Sequence, residues 1–411
     1  MNNKYIIPER QTETPFQFIV EDPIIACVGT NGGTYDYDIF RGFKKTVDLI
    51  FESSKKPGFV EDVMVYPMVF CVRHTIELGL KMSISQLIEL YELPMISRRI
   101  SIDVNDLNKE LHQHDIEKLT VYLEKLINID YRFTDCFTLL RPLLEDYFFD
   151  KKGDMFRYAE SIEGNSNLES VNISQVGLSH LYKRFSELYR QLETLIQDSY
   201  YIHREYEQGT YTLKLSRVQL EKIAEELPSI KTWKNSSFDD VRNNLLDKYC
   251  LSSNELSKAI DCIIKNPHLS ICIDKEIILK EIQNEELIAY AEYVSWYAFE
   301  TKAYTGIISF NSLSETDLEK ANKREKTRIK KSDMITDDTL NILQTFYIIG
   351  HDGIYCEQFE RIYSNVLECK YKRIDNLKKL CSRTAFRCIL AGLKECGQST
   401  YLKILEENVR L

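Results

Sequence analysis

Residues 63–91 read VMVYPMVFCVRHTIELGLKMSISQLIELY, and this stretch decides the fold. At the helical period of about 100° per residue, four ionisable side chains fall on one strip of the helix surface. They are Arg73, His74, Glu77 and Lys81. Apolar side chains cover nearly all the rest of the helix. This pattern predicts a helix inside a bundle, whose charged strip faces a cleft, a partner helix or a second subunit.

The strip contains two pairs at the i,i+4 spacing, Arg73 with Glu77 and Glu77 with Lys81. Side chains at this spacing are neighbours on a helix, so we expect both pairs to form. An exposed pair of this kind contributes only about 0.2–0.5 kcal/mol. In a buried setting the pairs have a different role, because a lone buried charge is strongly destabilising.

Composition indicates a soluble globular chain. It has 411 residues, of which 44% are hydrophobic and 28% charged, and by length alone it would form two or three domains. Only 15 Gly and 9 Pro interrupt it, which favours long helices. No apolar run approaches the ~18 residues of a membrane span, and the first residues lack a charged-then-apolar signal. We therefore expect a cytoplasmic protein with no membrane partner.

The sequence gives little support for a metal or cofactor. Eleven cysteines are scattered singly, without a Cys-x-x-Cys motif, which predicts reduced thiols. His112 and His114 would point about 200° apart on a helix and so would not bind one metal ion. The chain also lacks Gly-x-Ser-x-Gly, His-Glu-x-x-His and dinucleotide motifs. We expect no metal and no cofactor.

Periodicity and turn residues predict a mostly α-helical chain with a few short strands at most. Its four segments would be an N-terminal arm at 1–35, a helical bundle at 36–206, a second helical region at 207–310 and a basic C-terminal helical region at 311–411. The candidate strands are 16–20, 24–28, 210–215 and 306–310.

Several element boundaries follow from local signals. The spacings Ser216-x-x-Gln219 and Ser252-x-x-Glu255 predict capping boxes at two helix starts. Gly350 is a natural end for a helix that begins at Asp337. In the first half, the apolar period predicts helices at 37–54, 63–91, 105–126 and 174–201, with an apolar segment at 133–147.

The phrase Arg73-His74-x-x-Glu77-Leu78, followed by Leu80-Lys81, resembles a signature of bacterial HEPN-like helical proteins. Several of those proteins belong to antiviral or toxin systems. The likeness covers roughly the first half of the chain, through the residues Cys27-Val28-Gly29-Thr30-Asn31-Gly32-Gly33, His114-Asp115 and Phe156-Arg157-Tyr158.

The resemblance implies a helical bundle that dimerises and cleaves RNA without a metal ion. In that family a helix-borne Arg and His meet their twofold mates. The His assists proton transfer at the 2′-hydroxyl, and the Arg stabilises phosphate charge. The resemblance also implies that His114-Asp115 packs against the helix that carries the strip.

This sequence departs from the nuclease motif of the family, in which the His follows the Arg by a few residues. Here Arg73 and His74 are adjacent, so their side chains diverge by about 100° on the helix. A site would need His114 or Arg157 from another segment to complete it. The candidate catalytic set is therefore Arg73, His74, Glu77, His114 and Arg157.

Each candidate also has a structural interpretation. The strip can be a buried polar network that sets helix registry or a dimer interface, or it can line a small-ligand pocket. His114 can be a helix-capping or surface residue. Arg157 lies between two aromatic residues in a long loop, where it can stack on a base or pin the loop through a carboxylate.

Positive charge is concentrated near the C-terminus of an acidic chain. The net charge is -10, which disfavours general nucleic-acid binding, yet residues 320–331 read KANKREKTRIKK. A solvated face explains such a run, and a phosphate-contacting surface is the alternative. The candidate nucleic-acid-binding residues are Lys320, Lys323, Arg324, Lys326, Arg328, Lys330 and Lys331.

Two hypotheses for function follow. The first is a HEPN-like component of a bacterial antiviral or toxin system that acts as a metal-independent ribonuclease. The second is a non-catalytic sensor or oligomerisation module that binds nucleic acid or a partner protein. The expected partners are a second copy of the chain in a homodimer or larger homo-oligomer, RNA or another nucleic acid, and a companion defence protein.

Overall fold

The computed structural model of the chain describes residues 24–29, 32, 35–93, 96–97, 111–160, 167–303, 331–369 and 373–409. These residues are mostly α-helical and include no β-strand. The predicted mostly-α class is therefore confirmed.

The chain divides into two compact units. The first comprises Met1–Ile88 and Ile102–Ser199, and the second comprises Glu89–Ser101 and Tyr200–Leu411. The four segments predicted from the sequence stay a prediction.

Five α-helices whose bounds the structure describes begin within the first unit, and each buries an apolar side against the others. They are α1 (Asp36–Ser54), α2 (Glu61–Glu92), α3 (Ile116–Ile127), α4 (Arg132–Leu144) and α5 (Leu178–Glu207). A short 3-10 turn at Glu145–Tyr147 follows α4.

Helices α1 and α5 run antiparallel, as their contacts show. The Tyr37 hydroxyl near the start of α1 donates to Glu193 at 3.0 Å, whereas Tyr182 near the start of α5 donates to Asp48 at 2.9 Å. Helix α2 packs against both at Gly79. A Cβ at that position would lie 2.8 Å from Leu192 Cδ1 and 2.9 Å from Phe40 Cε2. A residue without a side chain thus allows the three helices to approach closely.

Helix α2 is the helix that the sequence predicts inside the bundle. Its ends differ slightly from the prediction. It begins at Glu61, which places Pro67 inside the helix, where the Pro ring removes one backbone donor. Among the described helices, α2 alone is long and apolar enough to cross a membrane by length and composition. More than half of its apolar window is buried, as in the core helix of a soluble protein.

Helix α3 is shorter than predicted. It begins at Ile116, because the Asp115 side chain accepts hydrogen bonds from the backbone amides of Glu117 and Lys118 and so caps the helix. Residues 111–115 precede the helix as turn and coil, and residues 105–110 of the prediction lie outside the described residues.

The second unit is built from helices around two hydrophobic clusters, one formed by residues from 215 to 273 and one by residues from 282 to 405. The helices whose bounds the structure describes are α6 (Arg217–Glu226), α7 (Ser237–Lys248), α8 (Ser253–Lys265), α9 (Pro267–Ser270), α10 (Asn284–Ala303), α11 (Asp337–Asp352), α12 (Phe359–Glu368), α13 (Arg373–Leu380), α14 (Arg383–Glu395) and α15 (Ser399–Asn408). Both predicted capping boxes are confirmed, with Ser216 capping α6 and Ser252 capping α8.

A buried ion pair lies within the second unit. Arg217 at the start of α6 pairs with Glu357, and both of these side chains are at most 17% exposed. Oε1 of Glu357 also accepts hydrogen bonds from the Asn266 side chain at 2.7 Å and from the Thr210 hydroxyl. The partners of Glu357 offset the desolvation of its charge.

The prediction that Gly350 ends a helix is wrong. Helix α11 continues to Asp352, and Gly353 takes the left-handed conformation that ends it, with φ of 60°. Gly350 instead allows α11 to pack closely on α14. A Cβ at Gly350 would lie 1.9 Å from the carbonyl oxygen of Cys388, and one at Gly392 would lie 2.0 Å from that of Phe346.

Two predicted strands are also absent from the described residues. Residues 24–28 are exposed and form no ladder. Residues 210–215 form a turn, because the Thr212 amide donates to the Leu215 carbonyl at 2.9 Å and the Thr212 hydroxyl accepts from two later amides. The candidate strands at 16–20 and 306–310 lie outside the described residues.

Candidate functional site

Arg73 lies at the centre of a buried ionic network. Its Nη1 donates to Oε2 of Glu77 at 3.0 Å, and its Nε pairs with Oδ2 of Asp150 at 3.1 Å. Its Nη2 donates to the carbonyl oxygens of both His114 and Asp150. The side chains of Arg73, Glu77 and Asp150 are each 7% exposed or less. One guanidinium therefore holds two distant segments of the chain against α2.

Glu77 is the most heavily partnered carboxylate of the network. Besides Arg73, Nζ of Lys81 and Nδ1 of His114 each lie 2.8 Å from its Oε1. Burial alone would raise the pKa of Glu77, but hydrogen bonds from Lys81 and His114 outweigh burial and lower the pKa below its usual value. Glu77 is therefore ionised at neutral pH. Both i,i+4 pairs predicted from the sequence form.

This carboxylate orients an exposed imidazole. Ionised Glu77 can only accept hydrogen bonds, so the proton in its contact with His114 belongs to Nδ1. In the neutral ring Nε2 is then the unprotonated nitrogen. The His114 side chain is 63% exposed, whereas that of Glu77 is 5% exposed. A buried carboxylate thus fixes the tautomer of a solvent-facing His, which is an arrangement that suits a general base.

Asp150 and Gly153 complete the network, and sequence analysis missed both. Oδ1 of Asp150 accepts hydrogen bonds from the amides of Gly153 at 2.9 Å and Asp154 at 3.2 Å. Gly153 has φ of 72°, and a Cβ there would lie 2.5 Å from Nη1 of Arg73. The sequence signal was the phrase Asp-Lys-Lys-Gly, in which Asp starts a tight turn and Gly supplies positive φ.

His74 does not join this network. Its ring packs edge-on against Phe43, with centroids 4.5 Å apart, and stacks on Phe70 at 5.8 Å. Burial lowers the pKa of His74, and the positive charges of Arg73 and Lys81 lower it further, although Glu77 opposes them. His74 is therefore held as a neutral aromatic side chain.

Arg157 is exposed, and it packs on aromatic rings. Its guanidinium carbon lies 5.4 Å from the Phe70 ring centroid and 5.3 Å from that of Tyr158. It also donates to the Tyr158 hydroxyl at 3.3 Å. The sequence offered an ion pair with a carboxylate as the structural role of Arg157, and the observed contacts are different. They keep the guanidinium at the surface.

The five candidate catalytic residues thus form two groups by their contacts. Arg73, Glu77 and His114 share one ionic network, whereas His74 and Arg157 both contact the ring of Phe70. Arg73 and His74 therefore have different contacts, in line with the divergence of about 100° expected for adjacent positions on a helix.

Most of the candidate nucleic-acid-binding cluster lies outside the described residues. Only Lys331 of that cluster falls within them, and it forms an ion pair with Glu292. Arg373, another cation of this region, pairs with Asp337 at 2.5 Å and donates to the Ser332 carbonyl at 2.8 Å. The role of residues 320–331 in binding nucleic acid stays a prediction.

The cysteines and the possible metal ligands add no further candidate site among the described residues. In the part of the chain that the structure describes, no group of three or more His, Cys, Asp or Glu is arranged to hold a metal ion. The eleven cysteines are free, and burial raises the pKa of Cys136 to about 11 and that of Cys356 to about 12.

No protein-family model matches the chain, and neither a curated protein nor a solved structure matches it significantly. The HEPN-like resemblance therefore rests on the sequence motifs and stays a prediction.

Proposed function

We propose that the chain is a HEPN-like component of a bacterial antiviral or toxin system that cleaves RNA without a metal ion, with His114 as the acid–base residue. The observation that carries this proposal is the 2.8 Å contact between Nδ1 of exposed His114 and Oε1 of buried Glu77. It leaves Nε2 of His114 as a proton acceptor at the protein surface.

The proposed reaction is an internal transesterification. Nε2 of His114 removes the proton of a ribose 2′-hydroxyl, and the 2′-oxygen forms a bond to the adjacent phosphorus. The bond from phosphorus to the 5′-oxygen breaks with its electron pair, and this oxygen takes a proton from the imidazolium or from water. The products are a 2′,3′-cyclic phosphate and a 5′-hydroxyl.

The other candidate residues have distinct parts in this proposal. Arg73 positions Glu77 and the His114 backbone, since two carboxylates and two carbonyls already occupy its guanidinium. Arg157 is exposed and is the candidate for contacting phosphate or a base. His74 supports the aromatic packing around Phe70. We further propose a cytoplasmic homodimer or larger homo-oligomer that has a companion defence protein as a partner. Residues 320–331 are a further candidate surface for nucleic-acid contact.

The test is RNA cleavage by the full chain, its His114→Ala variant and its His112→Ala variant. His112 is the matched control, because it is an exposed His two residues away. We expect His114→Ala to lower the cleavage rate by about 10²–10⁴-fold, the usual contribution of a general acid or base, and His112→Ala to leave it unchanged. Equal rates in all three proteins would remove the catalytic role.

Glu77 acts through His114, so its test needs a second readout. Glu77→Gln keeps the shape of the side chain but removes the charge that fixes the Nδ1 proton. We expect a lower rate together with altered ¹⁵N chemical shifts of the His114 ring, because the imidazole loses the carboxylate that holds its proton on Nδ1. A rate loss with unchanged ring chemical shifts would assign Glu77 a purely structural role.

A second candidate function is a non-catalytic sensor or assembly module. The observation that favours it is the burial of the Arg73 guanidinium between two buried carboxylates and two carbonyls. Such a network sets helix registry. This function predicts that His114→Ala changes neither RNA integrity nor toxicity, while Arg73→Met changes the oligomeric state measured by light scattering.

A further inference from the structure

Two lysines lie beside the proposed acid–base residue. Nη2 of Arg73 donates to the carbonyl of His114 and, at 3.2 Å, to the carbonyl of Asp150. Because one nitrogen contacts both oxygens, the backbone at residue 150 passes next to the backbone at residue 114. Lys151 and Lys152 follow immediately in the chain.

A second contact places Lys151 on the same side as the start of α3. Its Nζ lies 3.7 Å from Oε2 of Glu117, three residues after His114. Both side chains are open to solvent, with 66% of Lys151 and 46% of Glu117 exposed. An ion pair of such exposed groups contributes little stability, so phosphate can replace Glu117 as the partner of Lys151 at small cost.

Buried contacts hold the turn that carries the lysines in place. The Asp150 side chain accepts from the Gly153 and Asp154 amides and pairs with Arg73. Gly153 is buried against the guanidinium, whereas Lys151 and Lys152 are exposed. The backbone of this turn is therefore already fixed, and it presents two solvent-exposed cations beside the backbone of His114, so little backbone entropy is lost when they bind a ligand.

We propose that Lys151 and Lys152 bind the phosphodiester backbone of the RNA strand whose 2′-hydroxyl faces His114. This inference rests on the proposed function and extends it from the chemistry to the binding of substrate. Lysine is a suitable residue here, because an ammonium at the end of a flexible stem contacts phosphate oxygens without fixing the base sequence.

The experiment measures the binding of a fluorescein-labelled 2′-O-methyl RNA strand to the full chain. This probe has the RNA backbone but no 2′-hydroxyl, so binding is separated from cleavage. The proteins are the wild type, K151A/K152A, K151R/K152R and the control K55A/K56A. The control removes two exposed lysines at the end of α1 in the same unit.

We expect the negative slope of log affinity against log salt to become less steep by about 1.4 in K151A/K152A, since each single-strand phosphate contact contributes about −0.7 to that slope. K151R/K152R keeps the slope because it keeps the charges, and K55A/K56A keeps it because its lysines lie elsewhere. In RNA cleavage, K151A/K152A raises KM and leaves kcat near the wild-type value.

A wild-type slope in K151A/K152A overturns the proposal. An equal loss of steepness in K55A/K56A also overturns it, because it would show that only the overall charge of the protein matters. The proposed function is tested by a different result. It is contradicted if wild-type protein and His114→Ala cleave RNA equally. Absence of salt-dependent binding in the wild type overturns the lysine proposal whatever the cleavage result.

Discussion

Nε of Arg73 lies 3.1 Å from Oδ2 of Asp150, a residue 77 positions later in the chain. Both side chains are buried, and the same guanidinium pairs with Glu77 one helical turn away. Arg73 is therefore a brace between α2 and the turn at residues 150–154. Its charge is buried and paired with carboxylates, so it is not available to bind phosphate.

This brace predicts a large loss of stability in Arg73→Met. The substitution keeps most of the apolar volume but leaves the Asp150 carboxylate buried without its cation, so the free energy of unfolding decreases by about 3–5 kcal/mol. Urea denaturation followed by circular dichroism measures the change.

The control for this prediction is Arg41→Met. Arg41 lies on an exposed face of α1, 5.8 Å from the Tyr37 ring centroid. We expect its loss to change stability by no more than about 0.5 kcal/mol. Equal small losses in the two variants would mean that the Arg73 network does not support the fold.

His74 predicts a pH dependence of stability. Its pKa in the folded protein lies below the ordinary value of 6.5, chiefly because of burial, so the unfolded chain binds the proton more readily. Stability is therefore fully present above pH 6.5 and decreases as the pH falls below that value. His74→Phe removes this contribution, and urea midpoints between pH 7 and pH 5 should change less steeply than in the wild type. The same slope in both proteins would contradict the assignment, and His112→Phe provides the exposed control.

Gly350 predicts a steric cost inside the second unit. In Gly350→Ala the new methyl group would meet the Cys388 carbonyl at 1.9 Å, which forces α11 and α14 apart. We expect a loss of about 1–3 kcal/mol or more, measured by thermal unfolding.

Gly42 is the matched control for Gly350. It lies on the exposed side of α1, and a Cβ there meets nothing within 4 Å. Gly42→Ala should stabilise the protein by about 0.5–1 kcal/mol, because Ala favours a helix over Gly. A loss of stability in Gly42→Ala, or none in Gly350→Ala, would contradict this account of the packing.

The buried pair of Arg217 and Glu357 predicts a difference in stability between two Glu→Ala variants. Glu357→Ala removes the acceptor shared by Arg217, Asn266 and Thr210, so stability should decrease by about 3–5 kcal/mol. Glu360→Ala removes only a surface ion pair with Lys280 and should cost about 0–1 kcal/mol. Chemical denaturation measures the free energy of unfolding of both variants. Similar losses in the two variants would contradict the prediction.

The sequence predicted the features that local chemistry determines. The Ser216 and Ser252 capping boxes depend on residues three positions apart, and both form as predicted. The Arg73–Glu77 and Glu77–Lys81 pairs depend on helical spacing, and they also form.

The sequence did not reveal features that depend on distant partners. Gly350 has the properties of a helix end, yet the approach of α14 overrides them, and the helix ends at Gly353. Asp150 was missed as the partner of Arg73, because no periodicity links residues that far apart. The strand expected at 210–215 is a turn, since the Thr212 hydroxyl accepts hydrogen bonds from the backbone amides of Lys214 and Leu215.

The most direct test of the central claim is the cleavage of a defined single-stranded RNA in the presence of EDTA, with the chemical ends of the products identified. We predict that the wild type cuts the strand and leaves 2′,3′-cyclic phosphate and 5′-hydroxyl ends, whereas His114→Ala is slower by at least about 10²-fold. An intact strand with wild-type protein, or equal cutting by both proteins, would contradict the assignment of His114 and Glu77 as an RNA-cleaving pair.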